Sequence, residues 1–83
     1  MIQVLFFARF REELGVASEQ LEIENLGCVG DLLDRLQQRG EAWGRLFAAD
    51  QRVMMAVNQA VADRKTPLEE GDEVALFPPV TGG

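Results

Sequence analysis

The sequence predicts an α+β domain in which one mixed sheet carries a main helix on one of its faces. Three observations predict it. Runs rich in Val, Ile and Phe stand near both ends of the chain. One strong helical stripe lies between them, and 83 residues suit a single small domain. Because one striped helix covers only one face of a sheet, the opposite face must meet water or a partner.

The first strand is predicted over residues 2–7, which are rich in β-branched and aromatic side chains. Its alternation divides the side chains between two faces. The set expected to face the helix is Ile2, Val4 and Phe6. The opposite set is Gln3, Leu5 and Phe7.

Residues 8–14 predict a short helical turn, and Gly15 suits the position just after its end. Residues 19–24 then alternate polar and apolar side chains, which indicates a second strand with Leu21 and Ile23 inward. The short connection favours an antiparallel pair with the first strand.

The main helix is predicted over residues 29–39. Its apolar stripe has helical spacing and consists of Val29, Leu32, Leu33 and Leu36. Asp31 in the first turn and Arg39 in the last suit the helix dipole, and Gly40 is a natural stop. A second short helix over residues 41–47 is expected to place its aromatic rings in the core rather than against a ligand.

Three more strands are predicted, over residues 53–57, 60–62 and 73–77, with Val74 and Leu76 of the last strand facing the helix. The order β-β-α-α-β-β-β is the pattern of a β-grasp, or ubiquitin-like, domain. In that fold the first and last strands lie parallel and central in a mixed sheet.

Composition excludes several classes of function. A net charge of −6 argues against nucleic acid and anionic membranes as partners and favours a basic docking face. With no histidine and one cysteine, Ser-His and Cys-His nucleophile pairs and a disulfide framework are excluded, and no metal site is expected. The apolar N-terminus is too short to cross a membrane and has no basic leader, so a cytoplasmic protein is expected.

The second face of the predicted sheet is apolar where a solvated face would be polar. Leu5, Phe7, Ala75 and Phe77 all point away from the helix by alternation. If the first and last strands are neighbours, Phe7 and Phe77 form an exposed patch that indicates a partner site. The alternative is that a loop or the second helical segment covers them.

The chain ends in Phe77-Pro78-Pro79-Val80-Thr81-Gly82-Gly83. We expect a folded domain over residues 1–77 and a flexible tail over 78–83. The prolines favour an extended stem, and the glycines have no Cβ, so the tail is a slim segment with an unhindered carboxylate. Such a segment suits activation inside a partner's active site, and the alternative is an unimportant frayed end.

Two other features have simpler interpretations. The acidic turn of Glu69, Glu70, Asp72 and Glu73 is either solvated or steers a basic partner. Cys28, at the start of the main helix, is interpreted as a small half-buried residue rather than a reactive thiol.

The tail resembles that of the small, sulfur-carrier subunit of molybdopterin synthase, a MoaD-like family in the ubiquitin-like superfamily. The resemblance covers essentially the whole chain, including residues 2–9, 56–59, 67–68 and 71–75. Its specific part is the run FPPVTGG, since Gly-Gly alone is shared with many ubiquitin-like proteins. One departure is Cys28, where the family often has a threonine that caps the main helix.

The resemblance implies a mechanism. An E1-like adenylating enzyme uses Mg-ATP to activate the Gly83 carboxylate, and a sulfur donor protein then replaces AMP to leave a C-terminal thiocarboxylate. The carrier docks on the large synthase subunit, in an expected heterotetramer, and gives its sulfur to cyclic pyranopterin monophosphate. The residues expected to act are Gly82 and Gly83 in sulfur transfer and Phe7, Phe77, Pro78, Pro79, Val80 and Thr81 in partner binding. This chain itself is expected to bind no cofactor.

Two other functions stay open. One is a sulfur carrier for another pathway, such as thiazole or cysteine synthesis. The other is a ubiquitin-like modifier joined to lysines of other proteins. The single lysine, Lys65, makes self-linked chains less favoured but is compatible with conjugation.

Overall fold

The computed structural model describes residues 1–79 of the chain. The elements, in order, are β1 Ile2–Phe6, α1 Ala8–Leu14, β2 Ser18–Leu21, α2 Val29–Gln37, α3 Glu41–Leu46, β3 Met54–Val57, β4 Ala60–Ala62 and β5 Glu73–Phe77. Every element expected from the sequence is present, in the expected order. The division into a domain and a tail after residue 77 stays a prediction.

The five strands form one mixed sheet in the order β2-β1-β5-β3-β4. β1 and β5 run parallel, and the other neighbouring pairs are antiparallel. Val4 lies beside Val74, and Leu5 lies beside Ala75. The predicted β-grasp arrangement is therefore confirmed, with the first and last strands adjacent and parallel inside the sheet.

The core lies between the sheet and the three helices. On the sheet side, Val4, Val74 and Leu76 are completely buried. On the helix side, all four residues of the predicted apolar stripe of α2 are buried, namely Val29, Leu32, Leu33 and Leu36. Burying each such side chain contributes about 1.5–3 kcal/mol before conformational entropy is subtracted.

The aromatic rings of α3 and its end pack in this core, as expected. The Phe6 ring lies edge-on to Trp43, with 5.4 Å between centroids. Phe47 lies 5.3 Å from Phe10 of α1. All three helices thus share the face of the sheet to which Phe6 points, and α3 does not cover the opposite face.

The strand ends differ from the predicted bounds for physical reasons. β2 stops at Leu21 because its partner Ile2 is the first residue of β1, so residues 22–24 have no strand to pair with. β3 begins at Met54, since the position before it would oppose Pro78, which has no N–H to donate.

α2 ends at Gln37, two residues earlier than predicted. The N–H groups of Arg39 and Gly40 donate to carbonyls three residues back, at 3.1 Å, so the last turn tightens. Arg39 is then free to pair with Glu19 of β2 and to lie 4.4 Å over the Trp43 ring. The hydrogen bond to Glu19 raises the pKa of Arg39 above its usual value, with partial burial acting in the opposite direction.

Candidate docking face and root of the C-terminal tail

β5 carries the chain to the tail along the middle of the sheet. Its last residue, Phe77, lies opposite Met54 of β3. Pro78 and Pro79 follow and are both half-buried. The remaining predicted site residues, Val80, Thr81, Gly82 and Gly83, lie outside the described residues.

The face of the sheet turned away from the helices is apolar toward the end from which the tail leaves. We call this surface the open face. The register places on it the side chains of Leu5, Met54, Ala56, Val61, Ala75 and Phe77. Two of them, Met54 and Val61, are exposed, at 37% and 89%, and the other four are half-buried. Such an exposed group of apolar side chains is typical of a protein docking site.

The opposite end of the same face is polar. Gln3 lies beside Glu73 on the parallel strands and beside Gln20 on β2. On the edge strand β2, the residue beside Leu5 is Ser18, which is also polar. The apolar part is therefore confined to the region around Phe77, where a partner that receives the tail would have to sit.

Phe7 was predicted to belong to the first strand, and the structure corrects this. β1 ends at Phe6, and Phe7 is the residue that precedes α1. The chain turns at Ala8, whose φ of 54° lies in the left-handed region. The Phe7 N–H still donates to the Leu76 carbonyl at 3.1 Å, and its side chain is 44% exposed. Phe7 therefore lies beside the end of β5, as its proposed role requires, but on a helix junction.

Sequence reasoning did not include Met54, Ala56 and Val61 in the docking site. The alternation of Val53 to Val57 contained the signal for the first two. What the sequence did not reveal is that β3 is the direct neighbour of β5, so that Met54 lies against Phe77.

Two residues of the acidic turn, Asp72 and Glu70, make contacts within the domain. Asp72 accepts hydrogen bonds from the Asn58 side chain at 2.9 Å and from the Glu69 N–H at 2.8 Å. Glu70 pairs with the amino group of Met1. These contacts give Asp72 and Glu70 a part in holding the turn in place, and the steering role stays a prediction.

Cys28 is half-buried and is the N-cap residue of α2, but its side chain makes no capping hydrogen bond. Asp31 instead reaches back, and its Oδ2 accepts the Gly27 N–H at 2.9 Å. Within residues 1–79, no cluster of His, Cys, Asp and Glu side chains suits a metal ion. Over the same residues, no helix is long and apolar enough to cross a membrane.

The fold and this site define a β-grasp, or ubiquitin-like, protein whose last strand ends beside an open apolar sheet face. A model of the ThiS family matches residues 4–83. The chain is 45% identical to the molybdopterin synthase sulfur carrier subunit of Mycobacterium tuberculosis, and the match covers 99% of this chain and 96% of that protein. The chain therefore belongs to the ThiS family.

Solved structures agree. SAMP1 from Haloferax volcanii is 31% identical with a TM-score of 0.78, covering 99% of this chain and 98% of that one. A chain from the protein–protein complex of subunits 1 and 2 of the molybdopterin-converting factor of Helicobacter pylori is 25% identical with a TM-score of 0.67. That match covers 99% of this chain and 97% of the other.

Proposed function

We propose that this chain is the sulfur carrier subunit of a molybdopterin synthase. The observation that carries the proposal is the end-to-end similarity, at 45% identity, to the Mycobacterium tuberculosis protein of that name. The geometry supports it, because β5 delivers the C-terminal run beside an open apolar face.

Gly83 is the group that carries sulfur. A carboxylate is a poor electrophile, so an E1-like partner first joins it to AMP, using Mg-ATP and releasing pyrophosphate. Sulfide released by a donor protein then attacks the acyl carbon, so that a C–S bond forms as the C–O bond to AMP breaks, and loss of the proton from sulfur leaves the thiocarboxylate. Gly82 and Gly83 have no Cβ, so the carbonyl carbon is open to attack from either side.

The catalytic groups are expected in the partners. This chain has no histidine, and it supplies the sulfur that is transferred rather than the acid, base or metal that catalyses the transfer. Binding converts sulfur transfer to cyclic pyranopterin monophosphate into an effectively unimolecular step, because the tail and the acceptor are held together. Each sulfur atom of the product's dithiolene is supplied by a separate carrier chain that bears a C-terminal thiocarboxylate.

The large synthase subunit is the partner that covers the open face. In this proposal Phe7 and Phe77 anchor it, Pro78 and Pro79 direct the stem, and Val80 and Thr81 pass into its active site. Support comes from the likeness to a chain of the two-subunit Helicobacter pylori complex. The adenylating enzyme and the sulfur donor meet the carrier in the cytoplasm, and the assembled synthase is a heterotetramer.

Reconstitution tests the proposal. The chain is incubated with the adenylating enzyme, Mg-ATP and a sulfide source, and is then mixed with the large subunit and the pterin precursor. Molybdopterin should form with the full chain, and none should form when Gly83 is deleted. Product from the deleted chain would overturn the role of Gly83.

A second candidate is a protein modifier, favoured by the 31% identity and 0.78 TM-score with SAMP1 of Haloferax volcanii. The two functions differ in the nucleophile that attacks the activated Gly83, which is a lysine amine for a modifier and a sulfur for a carrier. Lysine peptides from other proteins that carry the tryptic remnant of residues 66–83, recovered from cells, would support the modifier, because Lys65 is the last tryptic site of the chain.

A further inference from the structure

A cleft beside the tail's root combines an apolar floor with two arginines. It has a volume of about 300 Å³ and lies between α2, the loop that joins α3 to β3, and the start of β3. We call it the arginine cleft. Its principal lining residues are Leu33, Phe47, Arg52, Met54, Met55 and Arg64. Leu33, Phe47 and Met55 are buried core residues, so the floor is fixed by the packing of the domain.

The two arginines differ in how they are held. Arg64 donates to Asp34 at 2.7 Å and, more weakly, to the Gly30 carbonyl at 3.4 Å, so one carboxylate already balances its charge. Arg52 is exposed and makes no ion pair within residues 1–79. The cleft therefore carries an unbalanced positive charge on a chain whose net charge is −6.

Met54 connects this cleft to the open face. It lines the cleft and also lies opposite Phe77, the last residue before the stem. A protein that covers the open face and receives the tail must therefore pass over the cleft's rim.

We propose that the arginine cleft receives an acidic side chain, with an adjacent apolar side chain, from the large synthase subunit. The carboxylate pairs with Arg52, and the apolar neighbour fills the floor above Leu33 and Met55. This contact lends specificity, because a uniformly basic partner drawn to the acidic chain is repelled at Arg52. The inference rests on the proposed function for the identity of the partner.

The test measures binding of the purified large subunit to the full-length chain by calorimetry. Arg52→Glu should weaken binding by about tenfold or more, and Arg52→Lys by much less, since it keeps the charge. Arg35→Glu is the matched control, because it makes the same change of charge on an exposed α2 arginine outside the cleft. Thermal unfolding of each variant verifies that the fold is kept.

The outcomes separate the two proposals. If the wild-type chain binds and Arg52→Glu binds as tightly as Arg35→Glu, the cleft proposal is wrong and the proposed function stands. The same conclusion follows if Arg52→Glu slows adenylation of the chain by the activating enzyme but leaves its affinity for the large subunit unchanged. If the wild-type chain does not bind the large subunit at all, both proposals fail.

Discussion

Met54 lies directly opposite Phe77 in the antiparallel pair of β3 and β5, with both side chains turned away from the helices. This pair stands where three features meet, namely the open face, the arginine cleft and the root of the tail. A partner bound at this pair would hold the tail's root and leave the residues after Pro79 free to enter its active site.

The first prediction separates docking from folding at the end of β5. Phe77→Ala should weaken binding to the large subunit by about tenfold, because a half-buried ring on the open face acts as an anchor. The free energy of unfolding should fall by less than about 1.5 kcal/mol. Calorimetric titration and urea unfolding provide the two quantities.

Leu76 is the matched control for Phe77. It is fully buried on the helix side of the same strand, so Leu76→Ala should cost about 2–5 kcal/mol of stability. A loss of stability from Phe77→Ala as large as that from Leu76→Ala would show that the Phe77 ring belongs to the core.

The second prediction concerns the start of α2. Cys28 has the extended backbone of an N-cap, with φ −151° and ψ 170°, but it makes no side-chain cap. Cys28→Ser supplies a hydroxyl that can accept the Asp31 N–H, which now donates to the Cys28 carbonyl at 3.1 Å, and should raise the free energy of unfolding by about 0.5 kcal/mol. Cys28→Ala removes the thiol without adding an acceptor, and an equal effect of both changes would contradict this account.

The third prediction tests the close approach of α2 to the segment after β4. A Cβ added at Gly30 would lie 3.0 Å from the Arg64 carbonyl oxygen, and the Gly30 N–H donates to that oxygen at 2.8 Å. Gly30→Ala should therefore lower the free energy of unfolding by about 1–2 kcal/mol despite alanine's better helix propensity. At Gly27 the nearest contact is an ordinary 3.4 Å, so Gly27→Ala should be nearly neutral in the same denaturation experiment.

The fourth prediction concerns Arg39, which follows the end of α2 and pairs with Glu19 of β2. Arg39→Ala removes the pair with Glu19 and the contact over Trp43, and should cost about 1–2 kcal/mol. Because the pKa of Arg39 is raised, its charge contributes stability that is fully present at neutral and mildly alkaline pH, below its ordinary titration range. The cost, measured by chemical denaturation, should therefore not fall between neutral and mildly alkaline pH. Arg35→Ala, whose contact is a 3.4 Å hydrogen bond to the Glu24 carbonyl, should cost less.

The fold was predictable because its signals are local. The stripe of α2 and the alternation of β5 each require only one segment, and both were confirmed. The end of β1 was not predicted, because Phe7 suits a strand as well as the residue before a helix, and the turn depends on the unusual φ of Ala8.

The candidate site was predicted only in part. Phe77 followed from alternation alone, whereas Met54 required knowing which strand lies beside β5. The arginine cleft was beyond sequence reasoning, because Leu33, Arg52 and Arg64 come from three separate segments. Their sequence separation gives no sign that they meet.

The central claim is that Gly83 carries sulfur, and the intact mass of the protein recovered from cells tests it most directly. We predict a subpopulation heavier by one oxygen-to-sulfur exchange, with the change mapped by fragmentation to Gly83 and absent when the adenylating enzyme is deleted. If Gly83 keeps both carboxylate oxygens and instead appears joined to lysines of other proteins, the sulfur-carrier account is contradicted.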